Sequence, residues 1–187
     1  MKEIAHATQQ SCYLATLADS DAIILAYTPG PGFLCLTAEP GMCVPLANSA
    51  AGAILMAYQP KAVQQSAARQ SGRGENPTNV SAIRRELVVT RMQGFAIAPN
   101  PAIRGVTDIS VAVRLDDHST AALTIPFLAD RVSASEGLLQ ARQTLCSSAN
   151  SLSAAIRELE RAPVPATKGR AAARAETFSQ PRASAAR

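Results

Sequence analysis

A chain of 187 residues that is 47% apolar and 17% charged can bury one domain-sized core, and its composition is neither disordered nor fibrous. The net charge of +4 resides wholly beyond Ala162, where Lys168, Arg170, Arg174, Arg182 and Arg187 face only Glu176. Residues 1–161 are therefore balanced, without the overall basic footprint of a nucleic-acid-binding domain.

Residues 2–10 (KEIAHATQQ) read as a short amphipathic helix. SCYLATLA at 11–18 and AIILAYT at 22–28 are two apolar runs joined by a polar turn, the pattern of an antiparallel hairpin. Pro29, Gly30, Pro31 and Gly32 break the chain, and FLCLTA at 33–38 is expected to form a third strand. A Pro- and Gly-containing loop at 39–48 leads to Ser49, a candidate N-cap for a helix over AAGAILMAY. A second helix over about 60–69 begins with Pro60 in its first turn.

Residues 71–78 (SGRGENPT) form a polar loop. The following helix ends at Gly94, with Val80, Ile83, Leu87 and Val88 or Met92 at three- and four-residue spacing. FAIA at 95–98 is a short strand and 99–105 an irregular loop. VTDISVAVRL at 106–115 alternates, with Ile109, Val111 and Val113 set against Ser110 and Ala112, and TAALTIPFL returns after a turn at 116–119. A long helix over 136–161 carries Leu138, Leu145, Leu152 and Leu159 at heptad spacing, with Ala149 and Ile156 between them. Such a seam needs a partner, either the sheet or a second subunit.

This order predicts an α+β domain over 1–161: an antiparallel sheet of about six strands flanked by helices, closed by the long C-terminal helix. Residues 162–187, rich in Ala, Arg, Ser and Pro, are expected to be a disordered basic tail.

Cys12, Cys35, Cys43 and Cys146 form no CxxC pair and none lies at metal-ligand spacing from a His. They read as buried free thiols in a reducing compartment. No signal-peptide core or membrane-spanning run is present, so a cytoplasmic protein is expected, with no metal, cofactor or membrane partner. His6 on a terminal helix and His118 in a turn beside Asp117 are poor catalytic candidates. Cys12 has no identifiable base, so no catalytic residue is proposed and the chain is not expected to be an enzyme.

Four ordered segments resemble the IclR family of bacterial transcription regulators. CYLATLADSDAIILAY resembles the hairpin that begins the family's effector-binding domain. VPLANSAAGAILMA at 44–57 resembles its Pro-Leu run into a small-residue helix. RELVVTRMQGFAIA resembles the helix that ends in a glycine and an aromatic. IRGVTDISVAVRLDDHSTAALTI resembles its glycine-started hairpin. Together they span about residues 1–155.

The resemblance implies a GAF-like effector-binding domain that senses a small organic acid or aromatic metabolite and self-associates as a dimer or tetramer. It implies contact with DNA only through a winged helix-turn-helix domain upstream, which this sequence lacks before its first hairpin. The alternative is a stand-alone sensor or ligand sink that oligomerises with full-length relatives and has no DNA-binding activity of its own. Ala47 and Ala53 stand where the family has His and Lys, the loop at 99–105 has no acid, and Pro126 replaces one of two strand hydroxyls.

Candidate ligand-binding residues follow from the same resemblance and from local chemistry. Asn48, Ser49, Ala50, Ala51 and Gly52 form a helix start whose free amides can receive an anion, or they form an ordinary capped turn. Asn100 can present its amide to a ligand or organise a turn between two prolines. Ala112 and Thr124 are expected to face each other on the last hairpin. The Thr124 hydroxyl is either a ligand group or that of a simple strand former.

Overall fold

The computed structural model describes residues 1–18, 21–32, 35–71, 80–116, 120–128 and 134–161. The expected tail and His118 lie outside them. Six strands form one antiparallel sheet in the order β3-β2-β1-β6-β5-β4. They are β1 (Cys12–Ala18), β2 (Asp21–Thr28), β3 (Cys43–Val44), β4 (Phe95–Pro99), β5 (Val106–Arg114) and β6 (Thr120–Leu128). The helices are α1 (Lys2–Thr8), α2 (Ala50–Ala57), α3 (Lys61–Ser71), α4 (Val80–Gln93) and α5 (Ala134–Arg161). The α+β architecture and the long closing helix match the sequence reading.

Alternation along the central strands sorts the core into two layers. Ile109, Val111 and Val113 of β5 join Leu123, Ile125 and Phe127 of β6 against α1 and α5. The opposite face carries Tyr13, Ala15, Ala22, Ile24 and Ala122, which meet Ala50, Ala51, Ile54 and Leu55 of α2. Alanine dominates this second contact. Its small side chain lets a helix approach a sheet closely, which is how a core nearly free of aromatic residues still packs.

α5 rests its seam on its own sheet. Ala141, Leu145 and Ala149 are buried there, and Leu138, Leu152 and Ile156 pack partly against them. The heptad runs out at Leu159, which is 74% exposed. On α4 the inward face is Ile83, Leu87 and Thr90, while Val88 and Met92 point to solvent. Thr90 sits where three- and four-residue spacing from Leu87 places the next inward position, so the apolar Met92 is left outside. Gly94 closes the helix at φ 75°, a left-handed conformation that glycine adopts without strain.

The expected strand at 33–38 is not formed by its described residues, and the third strand lies at Cys43–Val44 instead. The edge of β2 is already used: Ile24 N donates to Met42 O at 2.9 Å, and Gly41 N donates to Ile24 O at 2.8 Å. The carbonyl of Leu36 is taken by the Tyr27 hydroxyl at 2.7 Å, a side-chain bond in place of a ladder bond. All four cysteines are free thiols, but of the four expected to be buried only Cys12 is: Cys35 and Cys146 are half-buried and Cys43, on this edge strand, is exposed. No helix among the described residues is long and apolar enough to cross a membrane.

Candidate functional site

The turn into α2 is built by its own sequence. Asn48 takes φ 58°, a left-handed conformation that asparagine tolerates. Ser49, extended at φ −127°, caps the helix: its Oγ accepts from Gly52 N at 3.0 Å and donates to the Pro45 carbonyl. A Cβ on Gly52 would lie 2.0 Å from the Leu46 carbonyl oxygen, so only glycine fits where the 44–49 loop crosses the helix.

Beside this turn lies a cavity of about 610 Å³, within the usual range for small-molecule sites. Asn48, Ser49 and Gly52 line it from the turn into α2, and Ala98, Pro99 and Asn100 from the end of β4 and the loop after it. Leu46, Met56, Ile83, Leu87 and Ile97 make most of the remaining surface apolar. Glu86 is the one ionisable side chain among the described lining residues. Gln64 is tied back, its Nε2 donating to Met56 O and Gln59 O at 3.0 Å each.

Of the eight candidate residues, Asn48, Ser49, Gly52 and Asn100 line this cavity. Ala50 and Ala51 are fully buried between α2 and the sheet. Ala112 lies elsewhere, on a second cavity. Thr124 is fully buried and bonded to the Ser110 hydroxyl at 2.6 Å. The expected facing of Ala112 and Thr124 is corrected by two residues: Ala112 pairs with Ala122, and Thr124 with Ser110. The hairpin closes at Arg114 and Thr120, which fixes every pair behind it.

Asn100 organises its loop. Its Oδ1 accepts from the amides of Ala102 and Ile103 at 2.9 Å, and its Nδ2 donates to Asp108. Sequence reasoning passed over Asp108, a fully buried acid on the same face of β5 as Ser110. Its signal was positional: an acid in the even-numbered row, opposite Ile109 and Val111. Burial pushes its carboxyl above the usual carboxylate range, and the Asn100 hydrogen bonds pull it partly back. The Tyr13 phenol, raised by burial and by the Asp108 charge, belongs to the residue paired with Thr124 across β1 and β6. Tyr13, Thr124, Ser110, Asp108 and Asn100 thus form a buried polar row across β1, β6 and β5 and into the loop that borders the cavity.

Among the described residues, no group of His, Cys, Asp and Glu could hold a metal ion. What the fold defines is an α+β domain in which a short capped helix lies on an antiparallel sheet and opens a ligand-sized cavity at its start. The chain belongs to the family described as bacterial transcriptional regulator IclR, C-terminal, which matches residues 1–154. The family is one of transcriptional regulators, and structural neighbours carry the same description.

Solved structures agree on the fold. An IclR homolog from Microbacterium hydrocarbonoxydans, complexed with 4-hydroxybenzoate, is 20% identical with a TM-score of 0.69, over 84% of this chain and 65% of that one. An IclR transcriptional regulator from Alicyclobacillus acidocaldarius is 20% identical with a TM-score of 0.71, over 82% and 64%. The C-terminal domain of the E. coli transcriptional regulator KdgR is 21% identical with a TM-score of 0.67, over 83% and 93%. The chain therefore spans just under two thirds of the first two proteins and nearly all of the isolated domain. A comparison with functionally curated proteins finds no match.

Proposed function

We propose that this chain is the effector-sensing part of an IclR-type transcription regulator, in which a small ligand in the 610 Å³ cavity alters DNA binding by an associated winged helix-turn-helix domain. The observation that carries this reading is that the capped α2 turn and the Asn100 loop line one ligand-sized cavity. The apolar walls suit an aromatic ring. A polar substituent can reach the start of α2, where backbone amides and the helix dipole favour negative charge. Glu86 disfavours a second anionic group, so the reading favours an aromatic molecule with a single acid group or with neutral polar ones. 4-Hydroxybenzoate, with which one structural neighbour is complexed, is a molecule of this class.

Calorimetric titration with 4-hydroxybenzoate and a panel of small aromatic acids tests the reading. Saturable binding that raises Tm and is lost in Ala53→Phe supports it. No heat and no thermal shift across the panel would sink it.

Self-association as a dimer or tetramer belongs to the same proposal. Val88, Val89 and Met92 leave an apolar strip on the outer face of α4, and Leu159 leaves another apolar residue near the end of α5. Sedimentation equilibrium giving only monomer at high micromolar concentration would reject it.

A further inference from the structure

Most polar side chains that line the cavity beside α2 already have their hydrogen bonds inside the protein. The Ser49 hydroxyl gives its one proton to the Pro45 carbonyl and accepts from Gly52 N. Gln64 Nε2 donates to Met56 O and Gln59 O, so both its hydrogens are engaged and only its oxygen is left to serve a ligand. Asn100 is engaged at both ends, Nδ2 with the two Asp108 oxygens and Oδ1 with the amides of Ala102 and Ile103. Asn48 offers both a donor and an acceptor, and so favours neither kind of ligand group.

Glu86 differs from these. It lines the cavity from α4 together with Ile83 and Leu87. Residues 83, 86, 87 and 90 follow one another around a single flank of the helix at three- and four-residue spacing, whereas the exposed Val88 and Met92 mark the outer face. The carboxylate therefore stands on the cavity side of α4, next to apolar lining. An ionised carboxylate accepts hydrogen bonds and donates none. With the donors of Ser49, Gln64 and Asn100 consumed, the described side chains offer a ligand mainly acceptors.

We infer that Glu86 determines specificity in this cavity, selecting an aromatic acid that also carries a hydrogen-bond donor, a phenolic hydroxyl or an amino group, directed at its carboxylate. The inference rests on the reading of this cavity as the effector site. A hydroxyl or amino hydrogen placed against Glu86 forms a charge-assisted hydrogen bond. A methoxy group at the same place has no hydrogen to give, and it displaces water from the carboxylate without replacing the lost bonds. Glu86 is exposed, so solvent screening limits the gain. The effect is thus a preference among ligands of one shape rather than an absolute requirement.

The test is calorimetric titration of the whole chain at neutral pH with benzoate, with 3- and 4-hydroxybenzoate, with 3- and 4-aminobenzoate, and with the matching methoxybenzoates. At least one donor-bearing ligand should bind at least about fivefold tighter than benzoate and than the methoxy compound of the same position. The tighter of the hydroxy and amino series assigns the donor. Glu86→Leu should cut that preference to below about twofold, with benzoate bound no more weakly than by the parent, because a lost acceptor affects only ligands that donate. Benzoate and its donor-bearing derivatives binding the parent equally well would overturn the inference while leaving the cavity's reading in place. A preference that survives in Glu86→Leu overturns it too, since another group then reads the donor. If Glu86→Leu weakens benzoate as much as the donor-bearing ligand, Glu86 is structural and the inference fails. Absence of binding by every ligand overturns both the inference and the reading beneath it.

Discussion

The side-chain amide of Asn100 donates to both carboxylate oxygens of Asp108, at 3.0 and 3.1 Å, and so ties the loop beside the cavity to the middle of β5. The same amide's oxygen holds the Ala102 and Ile103 amides, so one side chain fixes both the loop's shape and its attachment. Replacing Asn100 with Ala leaves a buried carboxylate without its donors. The expected cost is about 2 kcal/mol, a fall in Tm on the order of 5 °C. Thermal unfolding at neutral pH checks this, and a change smaller than about 0.5 kcal/mol would mean that another donor serves Asp108.

Asp108 also gives stability a pH dependence of definite sign. Its folded-state pKa lies above the ordinary carboxylate value because burial outweighs the Asn100 bonds. A group raised in this way contributes stability that is fully present below the unfolded pKa and lost as pH rises through the folded one. Asp108→Asn removes the charge while keeping the shape. The variant should therefore gain most over the parent at neutral pH, and the gain should shrink as pH falls towards and below the usual carboxylate range. Urea unfolding of both proteins across that range reads the difference; a gain that grows on acidification contradicts the assignment.

Thr124 is central to the polar row, bonded to Ser110 at 2.6 Å and paired across the strands with Tyr13. Thr124→Val keeps the shape and orphans the buried Ser110 hydroxyl, at a cost of about 1–3 kcal/mol. Adding Ser110→Ala removes that orphan. The double variant should therefore be less destabilised than the sum of its single changes, with a coupling energy of at least about 0.5 kcal/mol. Strict additivity in denaturant midpoints would show that the two hydroxyls act independently.

The sheet, its hairpins and the capped start of α2 were legible because each is local: alternation along 106–114, a serine before an alanine-rich run, a glycine after α4. What could not be read depends on contacts between distant segments. The strand expected at 33–38 failed because Gly41 and Met42 occupy the β2 edge, a competition that hydrophobicity alone does not record. Ala51 carries the small side chain expected of a pocket wall, yet it is the part of α2 pressed on the sheet, and the cavity opens one and two residues later at Gly52 and Ala53. Only the helix's rotation on the sheet decides between those positions. Asp108 was hidden by the opposite effect, since a charged residue in a strand suggests the solvent side and here lies fully buried.

Gly52 and Ala53 adjoin in sequence and should respond in opposite ways. A Cβ on Gly52 would meet the Leu46 oxygen at 2.0 Å and its carbonyl carbon at 2.6 Å, both backbone atoms that cannot rotate aside. Gly52→Ala must therefore push the 44–49 loop off the helix and break the Ser49 cap, at a cost of at least about 3 kcal/mol despite the better helix propensity of alanine. Ala53 is half-buried and faces the cavity, which can take a phenyl ring without displacing backbone. Ala53→Phe should stay within about 1 kcal/mol of the parent in stability while losing 4-hydroxybenzoate binding. Urea midpoints and calorimetric titration on both variants separate the two roles. If Gly52→Ala folds with near-parental stability, the 44–49 loop is not pinned against α2 as the structure has it. If Ala53→Phe still binds the ligand, the ligand does not occupy this cavity.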